Sequence, residues 1–310
     1  MSDKKQPPVA IIIPHYKNKE DTLRCVKSFI SCDYPDFSLF LIDLSDDLGE
    51  EEVQIEGLNI IIEKSENNGF GAACNFGVRK ALTEGFEYFL TLNNDTVVKK
   101  NFLQPLVTSA LLSPQSIFAP VIIDGNTGSI EVLAQKFSEA SIKVYPSYPS
   151  NDIRLLNSLI QDNVNVVSTD VHCGCALFFT LNQFKELEGF NEDYFLYCED
   201  IDLSFRALKL GYTLKISTES HIEHYHGGSS GGHQSKTNIY YNSRNRITIA
   251  KKYLQLNRKL KFLLVFPLLQ GVKMFIWLLK GNLSDCLILL SALSDAIMGK
   301  NGINPKIDNT

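Results

Sequence analysis

Apolar and polar positions along this chain fall in blocks. Val9-Ala10-Ile11-Ile12-Ile13 is a β-branched run closed by Pro14, the pattern of a strand buried on both faces. Over residues 20–30, Leu23, Val26, Phe29 and Ile30 recur on one helical side. Residues 37–42 read as a second strand running into Asp43-Leu44-Ser45-Asp46-Asp47, and 58–62 as a third. Asn67-Asn68-Gly69-Phe70-Gly71 punctuates the chain before a helix over about 72–82. The next apolar run, 88–92, stops abruptly in Asn93-Asn94-Asp95. Strand, helix, strand alternation of this kind predicts an α/β fold with a mostly parallel, doubly wound sheet.

Beyond Val98 the pattern predicts a helix over 102–112 and a strand over 117–123, then a hairpin turn at Asp124-Gly125-Asn126-Thr127-Gly128. The stretch up to Asn163, including the proline- and tyrosine-rich 145–150, has no firm period. Strands resume at 164–167 and 176–179, so this half of the sheet is mixed. Residues 259–298 change character, with apolar runs at 262–269, 274–279 and 286–290. Gln270 and Lys273 interrupt the first two, and neither run reaches the ~20 apolar residues a spanning helix needs. Flanked by Arg258, Lys259, Lys261, Lys273 and Lys280, they read as interfacial helices on an anionic inner leaflet. A helical hairpin packed on the catalytic domain or on a second subunit, and a true membrane span, are the other arrangements. The expected division is one α/β domain over 1–255 and a C-terminal amphipathic helical segment over 256–310.

At 310 residues, 44% hydrophobic and 21% charged, the chain can bury a large core. A net charge of −5, with no basic stripe among aromatics, argues against a nucleic-acid partner. The first eight residues read as a polar tail rather than a secretory leader. Seven irregularly spaced cysteines suggest reduced thiols and a cytoplasmic setting. Cys173-Gly174-Cys175 lacks the second pair that a zinc site requires.

Candidate chemistry lies at the predicted strand ends, where open α/β sheets bind ligands. Asp95 there is placed to meet a metal or a phosphate, or simply closes a polar turn. The first strand runs into Pro14-His15-Tyr16 instead of a glycine-rich turn, so a dinucleotide pyrophosphate could not approach its backbone. The same loop lacks the glycines and basic residue expected of a sugar nucleotidyltransferase. Glu199, Asp200 and Asp202 open a helix with Ile201, Phe205 and Leu208 on one face and an Asp202–Arg206 i,i+4 pair. Capping would account for one of these acids, and a capping carboxylate is also fixed at the mouth of a site. His221, His224 and His226 precede a glycine-rich loop and read as metal or phosphate contacts, or as incidental histidines of a surface turn. Arg244 and Arg246 offer guanidinium groups to a diphosphate.

In this order the motifs resemble the family 2 inverting glycosyltransferases of the GT-A fold, and among them the rhamnosyltransferase-like branch. The matching residues are Pro14-His15-Tyr16-Lys17-Asn18, Ile42-Asp43 with Ser45 and Asp47, Glu66 to Gly71 with Asn75, and Leu92-Asn93-Asn94-Asp95-Thr96. Gly174-Cys175-Ala176, Gly189-Phe190-Asn191-Glu192, Glu199 to Leu203 and Arg244-Asn245-Arg246 continue the match. The resemblance covers about 9–253.

The resemblance implies a nucleotide-diphosphate sugar donor and a Mg²⁺ or Mn²⁺ held by Asp95 and Asn93, with His224 or His226 nearby. It implies Asp200 as the base that deprotonates the acceptor, with Glu199 beside it. Asp43 would accept the N3–H of uracil or thymine, and Pro14, His15, Tyr16, Asn68, Gly69, Asn75, Asn94 and Arg244 would complete the donor pocket. Asn93 departs from the family's usual Asp-x-Asp, and an amide oxygen is a weaker ligand for a hard cation. Such Asn-x-Asp variants are typical of the rhamnosyltransferase-like branch. The expected activity is therefore transfer of rhamnose from dTDP, or of galactose or glucose from UDP, to a surface polysaccharide or lipid-linked glycan. The expected place is the inner face of the plasma membrane, and a homodimer is compatible with it. A non-catalytic member of a polysaccharide assembly is the alternative that Asn93 favours.

Overall fold

The computed structural model describes residues 6–225 and 235–308. The first half runs β1 (Val9–His15), α1 (Lys19–Ser28), β2 (Phe37–Asp43), α2 (Glu50–Val53), β3 (Ile60–Lys64), α3 (Phe70–Thr83) and β4 (Tyr88–Leu92). β1 pairs in parallel with both β2 and β4, so Ile11 lies between Leu39 and Leu90. All of β1 is buried, as its unbroken β-branched run requires. Ile11 and Ile13 enter one core layer with Cys25 and Val26 of α1, whereas Ala10 and Ile12 enter the other with Ala73 and Val78 of α3. Gly77 permits that second contact, since a Cβ there would lie 2.3 Å from Ile12 Cγ2.

The middle of the chain supplies β5 (Thr96–Val98), α4 (Leu103–Leu112), β6 (Ser116–Asp124), β7 (Ile130–Val132), β8 (Gln135–Ser138), β9 (Lys143–Pro146) and α5 (Ile153–Gln161). Next come β10 (Val166–Ser168), β11 (Ala176–Thr180), α6 (Leu181–Leu187), α7 (Glu199–Lys209) and β12 (Thr213–His224). The sheet order is β10-β12-β6-β11-β4-β1-β2-β3, with β5 on β12, β7 on β6, and β8-β9 a separate pair. The parallel half ends at β4. β11 inserts antiparallel between β4 and β6, which makes the second half mixed. The stretch without readable period holds β7, β8, β9 and α5. Three of these are strands of only three or four residues, too short to register as a period.

The C-terminal region folds as α8 (Lys236–Tyr253), α9 (Leu256–Leu279), α10 (Leu283–Ile297) and α11 (Pro305–Asp308). Here the sequence reading needs correction. The two short apolar runs form one 24-residue helix with an 18-residue stretch of mean hydropathy 2.0, long and apolar enough to cross a membrane. Gln270 and Lys273 do not divide it, because glutamine and lysine are good helix formers and break hydrophobicity without breaking backbone. Only Phe262, Phe266 and Gln270 of α9 are buried, a single i, i+4, i+8 stripe. Phe262 and Phe266 pack with Ile249 of α8, with Leu254 just after it, and with Tyr194, Cys198 and Ile201.

Candidate active site

The carboxyl ends of β1 and β2 meet where His15 lies opposite Asp43. Asp43 Oδ1 accepts the Ser45 and Asp46 N–H groups and Oδ2 accepts that of Leu48, at 2.9–3.1 Å. The Ser45 hydroxyl also lies 3.4 Å from Oδ1, so the direction left for a ligand donor is on Oδ2, which has one backbone donor. Buried His15 is held at both ring nitrogens, by Thr22 Oγ1 and Asp47 Oδ1, each at 2.7 Å. Asn94 Nδ2 donates to the same Thr22 hydroxyl at 2.8 Å, so a hydrogen-bonded chain joins the loop after β2 to the loop after β4. Pro14 is buried at the end of β1, and half-buried Tyr16 carries the Lys17 ammonium 4.9 Å from its ring centroid. His15, Asp43 and Asp47 cluster closely enough to hold an ion, but the hydrogen bonds above already engage all three.

The second centre is Asp95. Its Oδ1 is buried with no aligned hydrogen-bond donor, although His224 Nε2 lies 3.2 Å away. On the other side of the imidazole, Nδ1 lies 3.0 Å from Glu131 Oε2. Burial alone would lower the His224 pKa, but hydrogen bonds and charges from Asp95 and Glu131 outweigh it and raise it to about 10. The buried acceptor without an aligned donor, beside an imidazole, fits the donor set of a divalent cation. Asp95 and the half-buried Asn93 are the residues that would hold it, and His224 would join them on giving up the Nε2 proton that its raised pKa otherwise keeps there. Glu131 stands on the far ring nitrogen, where it orients the imidazole. No sequence signal marks Glu131, because it lies on a three-residue strand within the patternless stretch. His226 lies outside the described residues.

The third centre is the Glu199–Asp200 pair at the start of α7. Tyr197 and Cys198 precede it in left-handed conformations, at φ 64° and 72°, unusual for two consecutive side-chain-bearing residues. Asn245 Nδ2 donates to the Leu196 and Tyr197 carbonyls at 2.8 Å each and fixes this turn. Asp200 Oδ2 accepts the Gly174 N–H at 2.9 Å, and the Asn93 N–H donates to the Cys175 carbonyl at 2.9 Å. The two residues that open β11 thus tie the Asp95 loop and Asp200 to one backbone segment. Burial raises the pKa of both carboxyls. Burial first, and then the charge of Asp200, carry Glu199 up to about 8. Among the described residues Glu199 Oε2 has no hydrogen-bond partner.

Two expected donor contacts are corrected by their surroundings. Asn75 is buried with its amide fully engaged: Nδ2 donates to the Phe190 carbonyl and Glu192 Oε1, and Oδ1 accepts the Phe190 N–H, all at 2.8 Å. Arg244 is 1% exposed, with Nε on Asn245 Oδ1, Nη1 on the Gly302 carbonyl, and Tyr240 and Tyr241 against its guanidinium. Both residues position the loop that carries Glu199 and Asp200. Arg246 is likewise engaged, by the Ile142 and Ser141 carbonyls. Gly69, at φ 102°, lets Phe70 N–H reach the Phe195 carbonyl at 3.2 Å, where a Cβ on Gly69 would lie 2.1 Å from that oxygen. Asn68 beside it is exposed. Burial pushes the Cys173 thiol up to about 12 and raises Cys175 well above the ordinary thiol value, which leaves them protonated and poor metal ligands.

Residues 10–181 match the model of the family described as glycosyl transferase family 2. The low-salt glycan biosynthesis hexosyltransferase Agl10 of Haloferax volcanii is 24% identical over 245 residues, 77% of this chain and 74% of that protein. The rhamnosyltransferase WbbL of Escherichia coli K12 is 24% identical over 227 residues, covering 69% and 82% respectively. Among solved structures, GalNAc-T7 with UDP, GalNAc and Mn²⁺ superimposes with a TM-score of 0.59 at 15% identity. That match spans 84% of this chain and 54% of the other, and shows the shared fold.

The raised Glu199 pKa has a testable sign. An acid held at about 8 instead of its ordinary 4.5 stabilises the fold fully below about pH 4.5, and loses that contribution as pH rises through 8. Glu199→Gln keeps the neutral shape without the titration. The thermal midpoint of the variant should therefore gain on that of the parent from about pH 5 to pH 9. Parallel curves would show Glu199 to be already ionised at neutral pH.

Proposed function

Because the chain belongs to glycosyl transferase family 2, we propose that it transfers a hexose from a nucleotide-diphosphate donor to a glycan acceptor with inversion at the anomeric carbon. The observation that carries this reading is the tie through Gly174 and Cys175, which sets Asp200 and the Asp95 loop side by side at the ends of β4 and β11. Asp200 takes the proton of the acceptor hydroxyl as its oxygen bonds to the anomeric carbon. The carbon–phosphate oxygen bond breaks on the opposite face, and its electron pair leaves with the nucleoside diphosphate. Burial favours this base by raising its proton affinity, and neutral Glu199 avoids a second negative charge beside it. A bound Mg²⁺ or Mn²⁺ would supply charge neutralisation for the diphosphate leaving group. Asp43 keeps one acceptor direction for the base N3–H, and the His15–Thr22–Asn94 chain holds the two donor loops in register.

For the donor, dTDP-rhamnose is favoured over a UDP-hexose, on Asn93-x-Asp95 and on the likeness to a protein named as a rhamnosyltransferase. Asp43 does not discriminate, since thymine and uracil both present N3–H. The acceptor reading is a surface polysaccharide or lipid-linked glycan, and α9 supports a membrane location for it. Leu263, Leu264, Leu268, Val272, Phe275 and Leu279 are each more than half exposed. Arg258, Lys259, Lys261 and Lys280 lie towards the ends of the helix. A helix held to protein by one stripe and apolar elsewhere suits in-plane docking on the anionic inner face of the plasma membrane.

Asp200→Asn should reduce transfer at least ~10²-fold while nucleotide affinity stays near that of the parent. Transfer within a few-fold of the parent would remove Asp200 as base. Titration with dTDP and UDP should show dTDP moderately favoured when Mn²⁺ is present. Asp95→Ala should weaken both in Mn²⁺ but not in chelator. An equal loss in the two conditions would remove the metal role, and a parent that binds nucleotide without any transfer would favour the non-catalytic reading. The protein should co-sediment with vesicles containing phosphatidylglycerol more than with pure phosphatidylcholine. The double variant Leu264→Glu, Leu268→Glu should release it, and retention by the variant would exclude α9 as the docking face.

A further inference from the structure

A cavity of about 480 Å³ opens beside the active site, between β7, β9 and the segment 145–151. Its volume lies within the roughly 300–1,000 Å³ of small-molecule sites. Glu131, Gln135, Tyr145, Tyr148, Asn151 and Cys173 contribute to its lining. Two of these connect it to the reacting groups. Glu131 faces the imidazole whose other nitrogen faces Asp95, so the cavity wall begins one ring's width from the proposed diphosphate site. Cys173 directly precedes Gly174, whose N–H is bonded to Asp200.

The strand order assigns the direction. The proposed base pocket lies at β1 and β2, Asp95 follows β4, and β7 lies beyond β11 and β6 on the far side. In a single inverting displacement, the entering hydroxyl approaches the anomeric carbon from the face opposite the leaving phosphate. A donor laid from β2 towards β4 therefore points its anomeric carbon towards Asp200, with the cavity beyond it. The lining suits a sugar. Two tyrosine rings offer faces to pyranose C–H groups, while Gln135 and Asn151 offer paired donors and acceptors for hydroxyls. Tyr145 is 48% exposed, so its ring stands open, and Pro146 and Pro149 restrict the backbone that carries the two rings.

We propose that this cavity is the subsite for the terminal sugar of a saccharide acceptor, with Tyr145 and Tyr148 as its stacking platform. The proposal rests on the glycosyl-transfer reading above, and its test separates the two. The full-length protein, with Mn²⁺ and saturating dTDP or UDP, would be probed by saturation-transfer NMR. The probes are p-nitrophenyl glycosides of α-L-rhamnose, β-D-galactose, α-D-glucose and β-D-N-acetylglucosamine at millimolar concentrations. At least one glycoside should bind alongside the nucleotide. Tyr145→Ala should weaken it by about tenfold or more, equal to roughly 1.4 kcal/mol, with nucleotide affinity kept within about twofold. Gln135→Ala provides a second variant away from the core, since Tyr148 packs partly against it. Nucleotide binding without contact to any glycoside would overturn the cavity assignment alone, as would unchanged glycoside affinity in both variants. A parent that binds neither nucleotide would remove the donor reading and this subsite with it.

Discussion

Tyr197 and Cys198 hold two successive left-handed conformations, and the proposed chemistry depends on that turn. Each such residue costs of order 1–3 kcal/mol unless its surroundings determine it. Here they do. Asn245 clamps the carbonyls on either side of the kink, and Arg244 orients the Asn245 amide. Asn75 secures the loop upstream through Phe190 and Glu192, and Tyr194, Cys198 and Ile201 seat in the cluster built with α8 and α9. Downstream, fully buried Asp202 accepts from Arg206, Lys252 and Tyr253 at 2.6–2.7 Å. Burial would raise the Asp202 pKa, but the hydrogen bonds from Lys252, Tyr253 and Arg206 outweigh it and bring it below the ordinary carboxylate value. The side chains with the largest buried polar content thus serve the backbone that aims Glu199 and Asp200.

The same arrangement divides the acids by partner. Asp43 is satisfied by backbone N–H groups, and Asp202 by cations and a phenol. Asp95 and Glu131 share one imidazole, whereas Asp200 is held by the backbone N–H groups of Gly174 and Ile201 beside Glu199. Burial raises the pKa of both members of the Glu199–Asp200 pair. Acids that resist ionisation collect at the proposed reacting centre, and fully compensated acids collect where the fold needs rigidity.

The parallel half was legible because its signals are local. A β-branched run, a terminal Pro14 and apolar helical spacing are each visible within a dozen residues. Asp43, Asp95, Glu199 and Asp200 were visible for the same reason, since polar residues closing an apolar run stand out. Glu131 was not, because its partner His224 is 93 positions away and its strand has three residues. Arg244 and Asn75 misled in the opposite way. A motif gives the residue type but not the direction of the side chain, and tertiary packing turned both towards a loop. The two apolar runs of α9 form one helix because Gln270 and Lys273 interrupt the hydrophobic pattern without interrupting the backbone.

The hydrogen bond from Arg244 to the Gly302 carbonyl places a residue near the far end of the chain in command of the turn at 196–198. During synthesis β1 to β4 emerge first and can form their local parallel contacts as a unit. The kinked turn cannot settle then, because Asn245, Arg244 and Gly302 have still to leave the ribosome. A nascent chain therefore passes through a stage with the parallel half formed and the Glu199–Asp200 turn not yet set. Docking of the last helices completes both the turn and the exposed apolar α9 surface, so the Glu199–Asp200 turn and that surface mature in the same folding event.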